Sequence, residues 1–301
     1  MSTDGPEGVL HETAKPAQRY LVPEGTKRFD PREWATAPPP DAPGHNELRK
    51  LRRRAVRDIS RQQRLLYAEN RYALLLVFQA MDAAGKDSTI NALLTGVNPA
   101  GCQVFNFKQP SSEELDHDFL WRTARSLPER GRIGVFNRSY YEEVLVVRVH
   151  PELLEKQNLP HVDPNGLWQQ RMESIVEHER HLARNGTVIL KFFLNISRDE
   201  QKARFLRRLD RPDKHWKFAI SDVRERGFWN EYMSAYGEAI RSTTRSHAPW
   251  YAIPADSKPY MRWAVADIVR DRLASLDLHN PEPSLADLAM FDDMRRQLEN
   301  E

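Results

Sequence analysis

The hydrophobic positions of the chain fall into two alternating patterns. Five short apolar runs have the character of buried strands, and they cover residues 73–78, 103–107, 133–136, 188–194 and 251–253. Helical spacing or a helix-capping signal follows each of the first four runs. Buried strands that alternate with helices are typical of a parallel sheet covered on both faces. The pattern therefore predicts an α/β fold.

Two long segments between the ends of the chain have the spacing of helices. In residues 47–69 the apolar residues recur at helical intervals, while eight lysines and arginines between Arg49 and Arg64 occupy the other faces. A solvated surface explains that basic face better than a dedicated contact with a polyanion. Residues 165–185 predict a second helix, closed by Gly186.

The two ends of the chain differ from the part between them. Residues 1–44 hold eight of the twenty prolines and show no sustained periodicity, which predicts an extended or mobile lead-in. Residues 283–301 form another amphipathic helical pattern, whose apolar side is made by Leu285, Leu288, Phe291 and Leu298. Either packing within the chain or contact with a second copy explains that side.

Composition narrows the function. The 301 residues include 45 basic and 43 acidic side chains, so the net charge of +2 is not the cationic coat of a bulk nucleic-acid binder. The single cysteine, Cys102, excludes a disulfide scaffold and a cysteine-rich zinc module, and it fits a reducing compartment. No apolar run approaches the roughly 18 residues of a membrane span. We therefore expect a cytoplasmic protein with no membrane or nucleic-acid partner.

The segment after the first predicted strand has the composition of a phosphate-binding loop. Small residues separate the strand from a helix that begins near Lys86, which is the order of a P-loop. The backbone N–H groups of such a loop converge on phosphate oxygens, and the lysine adds positive charge. We predict phosphate contacts in this segment from Ala84, Gly85, Lys86, Asp87, Ser88 and Thr89.

Two positions depart from the strict P-loop pattern. Ala80 replaces the first glycine, and Asp87 replaces the hydroxyl residue that binds magnesium. A divalent ion therefore needs another ligand. Asp82 is the best candidate, because a carboxylate inside this loop would repel phosphate unless a cation lay between them. The alternative for Asp82 is a turn residue that bonds its own backbone.

The third apolar run leads directly into polar residues. Asn137 stands at the strand tip, where P-loop enzymes commonly place a metal-binding carboxylate, and it can bond metal-bound water without adding charge. Arg138 follows with a fork of donors suited to a transferring phosphoryl group. Glu142, one helical turn further on, either supplies the missing carboxylate or pairs with Arg138 or Arg148 at the surface.

Basic residues are concentrated between residues 198 and 217, where eight lysines and arginines face four acidic side chains. The helical spacing predicts one basic face that closes over anionic substrates, although a solvated helix also explains it; its members are Arg204, Arg207, Arg208 and Arg211. Lys108 and Arg122, near the second predicted strand, are candidates for binding the phosphate of the acceptor.

Five motifs resemble, in order and interval, the second family of polyphosphate kinases: MDAAGKD, FNRSYYEEVLVVRVH, HWKF, FWNEYMSAY and APWYAIPADSKPY. The similarity covers about residues 45–275. The asparagine before Arg138 resembles the sequence of the class III branch at this position. The members of that branch phosphorylate both nucleoside mono- and diphosphates from polyphosphate. Three departures are Ser88, where a glycine is usual, Tyr140, where a histidine is frequent, and Thr244-Arg245, where the family normally has Ser-Thr.

The resemblance implies a three-layer P-loop kinase fold in residues 45–278, with a helical lid at about 198–226 and a helical tail at 279–301. It implies a polyphosphate-dependent nucleotide kinase that uses Mg²⁺ or Mn²⁺, and we expect a homo-oligomer. The implied catalytic residues are Asp82, which also binds the metal, Lys86, Asn137, Arg138 and Arg208. The remaining substrate-binding candidates are the loop residues, Lys108, Arg122, Glu142, Arg204 and Arg211.

Two other functions stay open at this point. An ATP-dependent nucleotide kinase would share the phosphate loop and the lid. An RNA-binding protein would use the basic helix at residues 47–69 together with the lid.

Overall fold

We describe residues 15–163, 165–217 and 220–301 of a computed structural model. The described chain contains one five-stranded sheet in the order β2-β3-β1-β4-β5, and all of its strand pairs are parallel. The strands are β1 (Ala73–Gln79), β2 (Cys102–Asn106), β3 (Ile133–Asn137), β4 (Thr187–Asn195) and β5 (Trp250–Pro254). Each lies within one residue of its predicted bounds, so the α/β prediction is confirmed.

The helices in chain order are α1 (Pro16–Arg19), α2 (His45–Glu69), α3 (Lys86–Leu94), α4 (Ser112–Leu115), α5 (Trp121–Ala124), α6 (Glu142–Val149), α7 (Glu152–Glu155), α8 (Leu167–Arg184), α9 (Arg198–Leu209), α10 (Ile220–Glu225), α11 (Trp229–Thr243), α12 (Lys258–Ala274) and α13 (Leu285–Glu299). Short 3₁₀ turns occupy Pro99–Gly101, Pro212–Lys217 and Arg226–Phe228. Ser111 and Glu114 form the predicted capping box of α4.

The helices form two packed layers. The first layer joins α2 and α3 to α12, and the second joins α6, α8 and α11. Strands β1, β3 and β5 are buried along their whole length, as expected for strands covered on both faces. The apolar side of α2 is buried while its arginines face outward, which confirms the predicted amphipathic helix. The sheet and the two layers make the predicted three-layer architecture.

The described part of the lead-in begins with the short helix α1, and the segment after α1 packs against β5. The Val22 N–H donates to the carbonyl of Trp250, and the Ala252 N–H donates to the carbonyl of Tyr20. Leu21 thereby forms an antiparallel bridge with Tyr251. Tyr20 and Val22 are buried in the core. Residues 20–22 therefore cover the outer edge of the sheet.

The order of the strands fixes where the loops meet. β1 lies between β3 and β4, and Phe78 of β1 is in register with Asn137 of β3. Because parallel strands end at the same edge, the loops after β1 and β3 lie side by side at the topological switch point, where α/β proteins bind ligands. No helix in the described chain has the length and apolar character needed to cross a bilayer.

Candidate active site

The loop between β1 and α3 has the backbone of a phosphate-binding turn. Ala83 and Gly85 adopt left-handed conformations, with φ of 62° and 109°. A Cβ atom on Gly85 would lie 3.2 Å from Met261 Cε, so both the conformation and the space favour glycine. The helix α3 begins at Lys86. Its first N–H groups have no partner within the helix and form a site for an anion.

The side chain of Arg204 holds this loop from behind. Its Nη1 donates to the carbonyls of Ala83 (3.1 Å) and Ala84 (2.6 Å), and its Nη2 donates to Ala255 and Asp256. The Nε donates to Glu200. Arg204 is only 4% exposed and all five of its N–H groups have partners, so it does not face a substrate. The predicted substrate contact disagrees with this placement, because the turn between β5 and α12 accepts the hydrogen bonds of this guanidinium.

Three hydroxyl and amine groups of α3 turn back toward the loop. Lys86 Nζ donates to the carbonyl of Ala80 at 2.7 Å. Ser88 Oγ and Thr89 Oγ1 both donate to the carbonyl of Gly85. Thr89 is almost fully buried, which does not agree with its predicted contact to substrate. Lys86 and Ser88 remain at the open side of the loop.

The charge on Lys86 is sensitive to its surroundings. Burial lowers the pKa of Lys86, and repulsion by Arg138 lowers it further. Asp82, Glu142 and Asp87 oppose the shift by attraction. An added phosphate would favour the charged form for the same reason.

The tip of β3 presents an amide with one free atom. Asn137 Nδ2 donates to Asp87 Oδ1 and to Asn106 Oδ1, both at 2.7 Å. Asn137 Oδ1 is buried and has no hydrogen-bond partner among the described residues. A buried carbonyl oxygen without a donor is costly in a folded protein. The orientation thus leaves an oxygen available to a cation or to a bound water.

Arg138 connects the two loops. It adopts a left-handed φ of 66°, uncommon for a residue with a side chain, and its N–H donates to the carbonyl of Phe78. Its guanidinium contacts Glu142 Oε2 at 3.1 Å and Asp82 Oδ1 at 3.2 Å. Glu142 and Asp82 raise the pKa of Arg138 against the effect of burial. Two partners were predicted for Glu142, Arg138 and Arg148. The structure pairs Glu142 with Arg138, because Arg148 pairs with Glu238 instead.

The donor set fits a magnesium ion held mainly by its substrates. Among the described residues, no group of three or more His, Cys, Asp or Glu side chains is arranged to hold a metal. Mg²⁺ commonly uses one or two protein oxygens and completes its shell with phosphates and water. The Asp82 carboxylate, partly exposed, and the unpartnered Oδ1 of Asn137 provide such oxygens.

A cavity of about 480 Å³ opens beside Asp82 and Arg138. Lys108 and Arg122 also line it, and Arg122 Nη2 donates to the carbonyl of Lys108 at 2.7 Å. Apolar side chains form only part of its wall, which also carries several acidic side chains; the apolar ones are Pro110, Leu115, Val146, Val147 and Leu153. The structure therefore brings the two predicted acceptor-site residues together with the arginine at the end of β3.

The predicted single basic face of the lid is wrong. α9 ends at Leu209, so Arg211 lies beyond the helix, where it pairs with Asp213. Arg204 is buried, as described above. Arg208 remains partly exposed, with its Nη1 3.6 Å from Asp222, a residue of the cavity wall. Of the predicted lid arginines, Arg208 is the one placed next to the cavity.

A second basic cluster was not predicted. Lys258 and Arg262 lie one turn apart on α12, whose Met261 touches the Gly85 position. Burial lowers the pKa of Lys258, and repulsion from Arg204, Arg262, Arg207 and Arg208 adds to the effect. Neither residue lines the cavity. In the sequence Lys258 lies in the motif APWYAIPADSKPY, but nothing there connects it or Arg262 with the loop.

A buried ion pair supports the turn after β3 and was also missed. Lys191 Nζ lies 2.6 Å from Glu179 Oε2 and donates to Tyr141 Oη and to the carbonyl of Thr243. The hydroxyls of Tyr140 and Tyr141 both donate to Glu179 Oε1. Burial lowers the pKa of Lys191 to about 8, although Glu179 opposes the shift. These tyrosines follow Arg138 closely, so the network fixes the segment that carries it.

A strand, a small-residue loop that ends in lysine, and an arginine at the tip of the adjacent strand define a P-loop phosphotransferase. The chain belongs to the polyphosphate kinase 2 family, because the family model Polyphosphate kinase 2 (PPK2) matches residues 44–281. The protein is therefore an enzyme, a polyphosphate:nucleotide phosphotransferase.

Similar proteins agree with this assignment. An ADP-polyphosphate phosphotransferase of Rhodopseudomonas palustris is 50% identical over 283 residues, which cover 93% of this chain and 98% of that protein. An AMP/ADP-polyphosphate phosphotransferase of Meiothermus ruber is 44% identical over 273 residues, 89% of this chain and 97% of that one. The crystal structure of polyphosphate kinase 2 from Arthrobacter aurescens TC1 superposes with a TM-score of 0.83 at 36% identity, covering 93% of this chain and 97% of that chain.

Proposed function

We propose that this enzyme transfers the terminal phosphoryl group of inorganic polyphosphate to AMP and ADP, with Mg²⁺ as its metal. The observation that carries the proposal is the contact of Arg138 with Asp82, which joins the phosphate loop to the cavity. One cavity beside a phosphate loop suits a nucleotide whose phosphate points at Arg138. The names of two relatives support these acceptors, since one includes ADP and the other includes both AMP and ADP.

The basic cluster outside the cavity suits polyphosphate as the phosphoryl donor. Lys258 and Arg262 lie along α12 next to the loop, and Arg208 lies between this cluster and the cavity wall. Polyphosphate repeats its charge along a flexible chain, so separate cations can bind it without recognising a base. An ATP donor would need a second apolar pocket for adenine. The cluster is charged instead, which favours polyphosphate over the ATP-dependent alternative.

The residues of the site suit an in-line transfer of the phosphoryl group. An oxygen of the acceptor phosphate attacks the terminal phosphorus, the bond to the next phosphate breaks, and the donor leaves one unit shorter. Lys86 and the N–H groups of the loop neutralise charge on the transferred group, and Arg138 holds the acceptor in line. Asp82 and Asn137 would hold the metal, which would supply positive charge that offsets the charge of the phosphates. The acceptor is already ionised, so no general base is required.

A product assay tests this function. The pure protein is incubated with Mg²⁺ and polyphosphate, with AMP or ADP added singly, and the nucleotides are resolved; ATP replaces polyphosphate in a parallel reaction. We expect ADP and ATP from polyphosphate. Nucleotide products that form only with ATP as donor would overturn the proposal in favour of a conventional nucleotide kinase.

The site assignment is tested in the same assay with variants. Lys86→Ala and Asp82→Asn should each lower turnover at least about 100-fold, because preorganised charge at a phosphoryl group contributes a few kcal/mol. The matched control is Lys50→Ala, which removes an exposed lysine of α2. Asp82→Asn should also raise the Mg²⁺ concentration for half-maximal rate. Near-parent turnover of both site variants would refute the assignment.

We also propose that the reaction takes place in the cytoplasm, which the free thiol of Cys102 supports. RNA binding is the remaining alternative, and it makes an opposite prediction for Lys86→Ala. A protein that bound RNA through α2 would keep its affinity in that variant, whereas the kinase loses its turnover.

A further inference from the structure

The helix α13 exposes an apolar face. It lies wholly within the described chain and buries none of its side chains. Leu288, Phe291 and Met294 stand on one side of it, each about half exposed, and Leu298 continues the same side. A lone helix of 15 residues is marginal in water unless its apolar face is covered. Within the described residues, nothing covers this face of α13.

The charges within this face are arranged symmetrically about Phe291. Asp287 lies four residues before Phe291 and Arg295 four residues after it. With 3.6 residues per turn, both fall within or beside the apolar stripe rather than on the opposite side of the helix. Leu288 and Met294 are likewise three residues before and after the same phenylalanine.

We propose that α13 pairs antiparallel with α13 of a second copy of this chain, with Phe291 on the two-fold axis. In that register each Leu288 lies level with the partner's Met294, and each Asp287 lies level with the partner's Arg295, within reach of its long side chain. The two chains thus make the same ion pair twice, as a two-fold interface requires. A parallel pair would place like charges opposite each other.

The partners of these two charges within the chain agree with this pairing. Asp287 uses Oδ2 to cap the helix at Ser284, and none of its contacts in the described structure involves a basic side chain. Arg295 has no hydrogen-bond or ion-pair partner in the described structure. The neighbouring Arg296 is occupied by Asp293, on the far side of the helix. The charges that the second copy would meet are the ones left available.

The test uses charge reversal on the full chain. Asp287→Arg alone brings two arginines together at each contact of the pair, and Arg295→Glu alone brings two carboxylates together. A mixture of these two variants restores both contacts. The introduced arginine of one variant then meets the introduced glutamate of the other, and the unchanged Asp287 meets the unchanged Arg295. Asp293→Arg is the matched control, since it makes the same change of charge on the opposite side of α13.

Light scattering after size exclusion, at about 50 μM chain, reads the mass. We expect the parent and the Asp293→Arg variant to share one oligomeric mass, each reversal alone to halve it, and the mixture to recover it. Phe291→Glu should halve the mass as well, with unchanged turnover per chain showing that the kinase domain is folded. A monomeric parent, single reversals that keep the parent mass, or a mixture that stays at half mass would each overturn the proposal.

Discussion

Arg204 Nη1 lies 2.6 Å from the carbonyl oxygen of Ala84 and donates a hydrogen bond to it. In a planar trans peptide the carbonyl and the next N–H point in opposite directions. The bond therefore turns the Gly85 N–H away from Arg204 and toward the open side of the loop. Gln201, one turn earlier on α9, bonds the carbonyl of Asp82 in the same way. The first turns of the lid helix thus orient the loop that binds phosphate.

Removing this support should lower the rate of transfer. We expect Arg204→Gln to reduce kcat by about 100-fold with a smaller change in KM, because small displacements of a reacting group have effects of that size. Arg207→Gln is the control, since Arg207 is exposed and lies one turn further along α9. Steady-state kinetics at several polyphosphate concentrations separates the two constants. An Arg204→Gln enzyme with parent kcat and a raised KM would restore Arg204 as a substrate contact.

The salt dependence should separate Arg204 from the basic cluster. We expect Arg208→Gln and Lys258→Gln to reduce the slope of log affinity for polyphosphate against log salt, by roughly 0.7 for each lost contact. Arg204→Gln should leave the slope unchanged, because all its donors bind carbonyl or carboxylate oxygens of the protein. Binding measured across a salt series reads the slope, with Arg57→Gln on α2 as the control for a distant charge. Equal slopes in all variants would mean that the basic cluster is an ordinary solvated surface that does not bind polyphosphate.

Asn137 should not tolerate an added charge. Its Nδ2 lies 2.7 Å from Asp87 Oδ1, so Asn137→Asp removes two donated hydrogen bonds and places a second carboxylate against Asp87. We expect turnover at pH 7 to fall at least about tenfold, since two close carboxylates cannot both ionise without cost. The double variant Asn137→Asp/Asp87→Asn exchanges the two groups and should recover activity. A double variant no better than the single one would contradict the assigned hydrogen bond.

How much of this could be read from the sequence differs between the sheet and the site. Apolar runs predicted all five strands. A strand buried on both faces needs a continuous apolar run, which holds for β1, β3 and β5, whereas the edge strand β2 is only partly buried. Asn137 and Arg138 were found because they stand at the end of such a run, and Lys86 because a loop of small residues leads to it from β1. The role of Arg204 was missed, since helical spacing groups it with Arg208 and cannot show that the turn after β5 covers only one of them. Partners remote in sequence leave no local signal.

Glu179 illustrates the same limit. In the sequence it stands between two histidines whose spacing does not suit zinc, and nothing there points to Lys191. The pair is fully buried, and removing one charge leaves the other without compensation. We expect Lys191→Met to lower the free energy of unfolding by about 3–5 kcal/mol, and Lys191→Met/Glu179→Leu to lower it less. Urea unfolding of both variants measures the difference, and equal losses would mean that the ion pair is not coupled.

The buried pair of Lys191 and Glu179 should also affect how the free energy of unfolding depends on pH. Burial lowers the pKa of Lys191 to about 8 from an ordinary 10.5. Between these values the unfolded chain binds the proton more strongly, so this group makes the free energy of unfolding rise as pH increases. The rise should be present in the parent and absent from the double variant when both are unfolded in urea from about pH 8 to 10. A parallel pH dependence in the two proteins would contradict the lowered pKa.

The covering of β5 by residues 20–22 bears on where the enzyme can safely be shortened. The family model begins at residue 44, and a chain trimmed to that boundary would lose Tyr20 and Val22, the two residues that occupy the open hydrogen bonds of the last strand. A bare strand edge is a template on which another chain can pair. The short lead-in therefore protects the enzyme against aggregation. Without it, the exposed edge of the sheet that positions the phosphate loop could pair with a strand of another molecule.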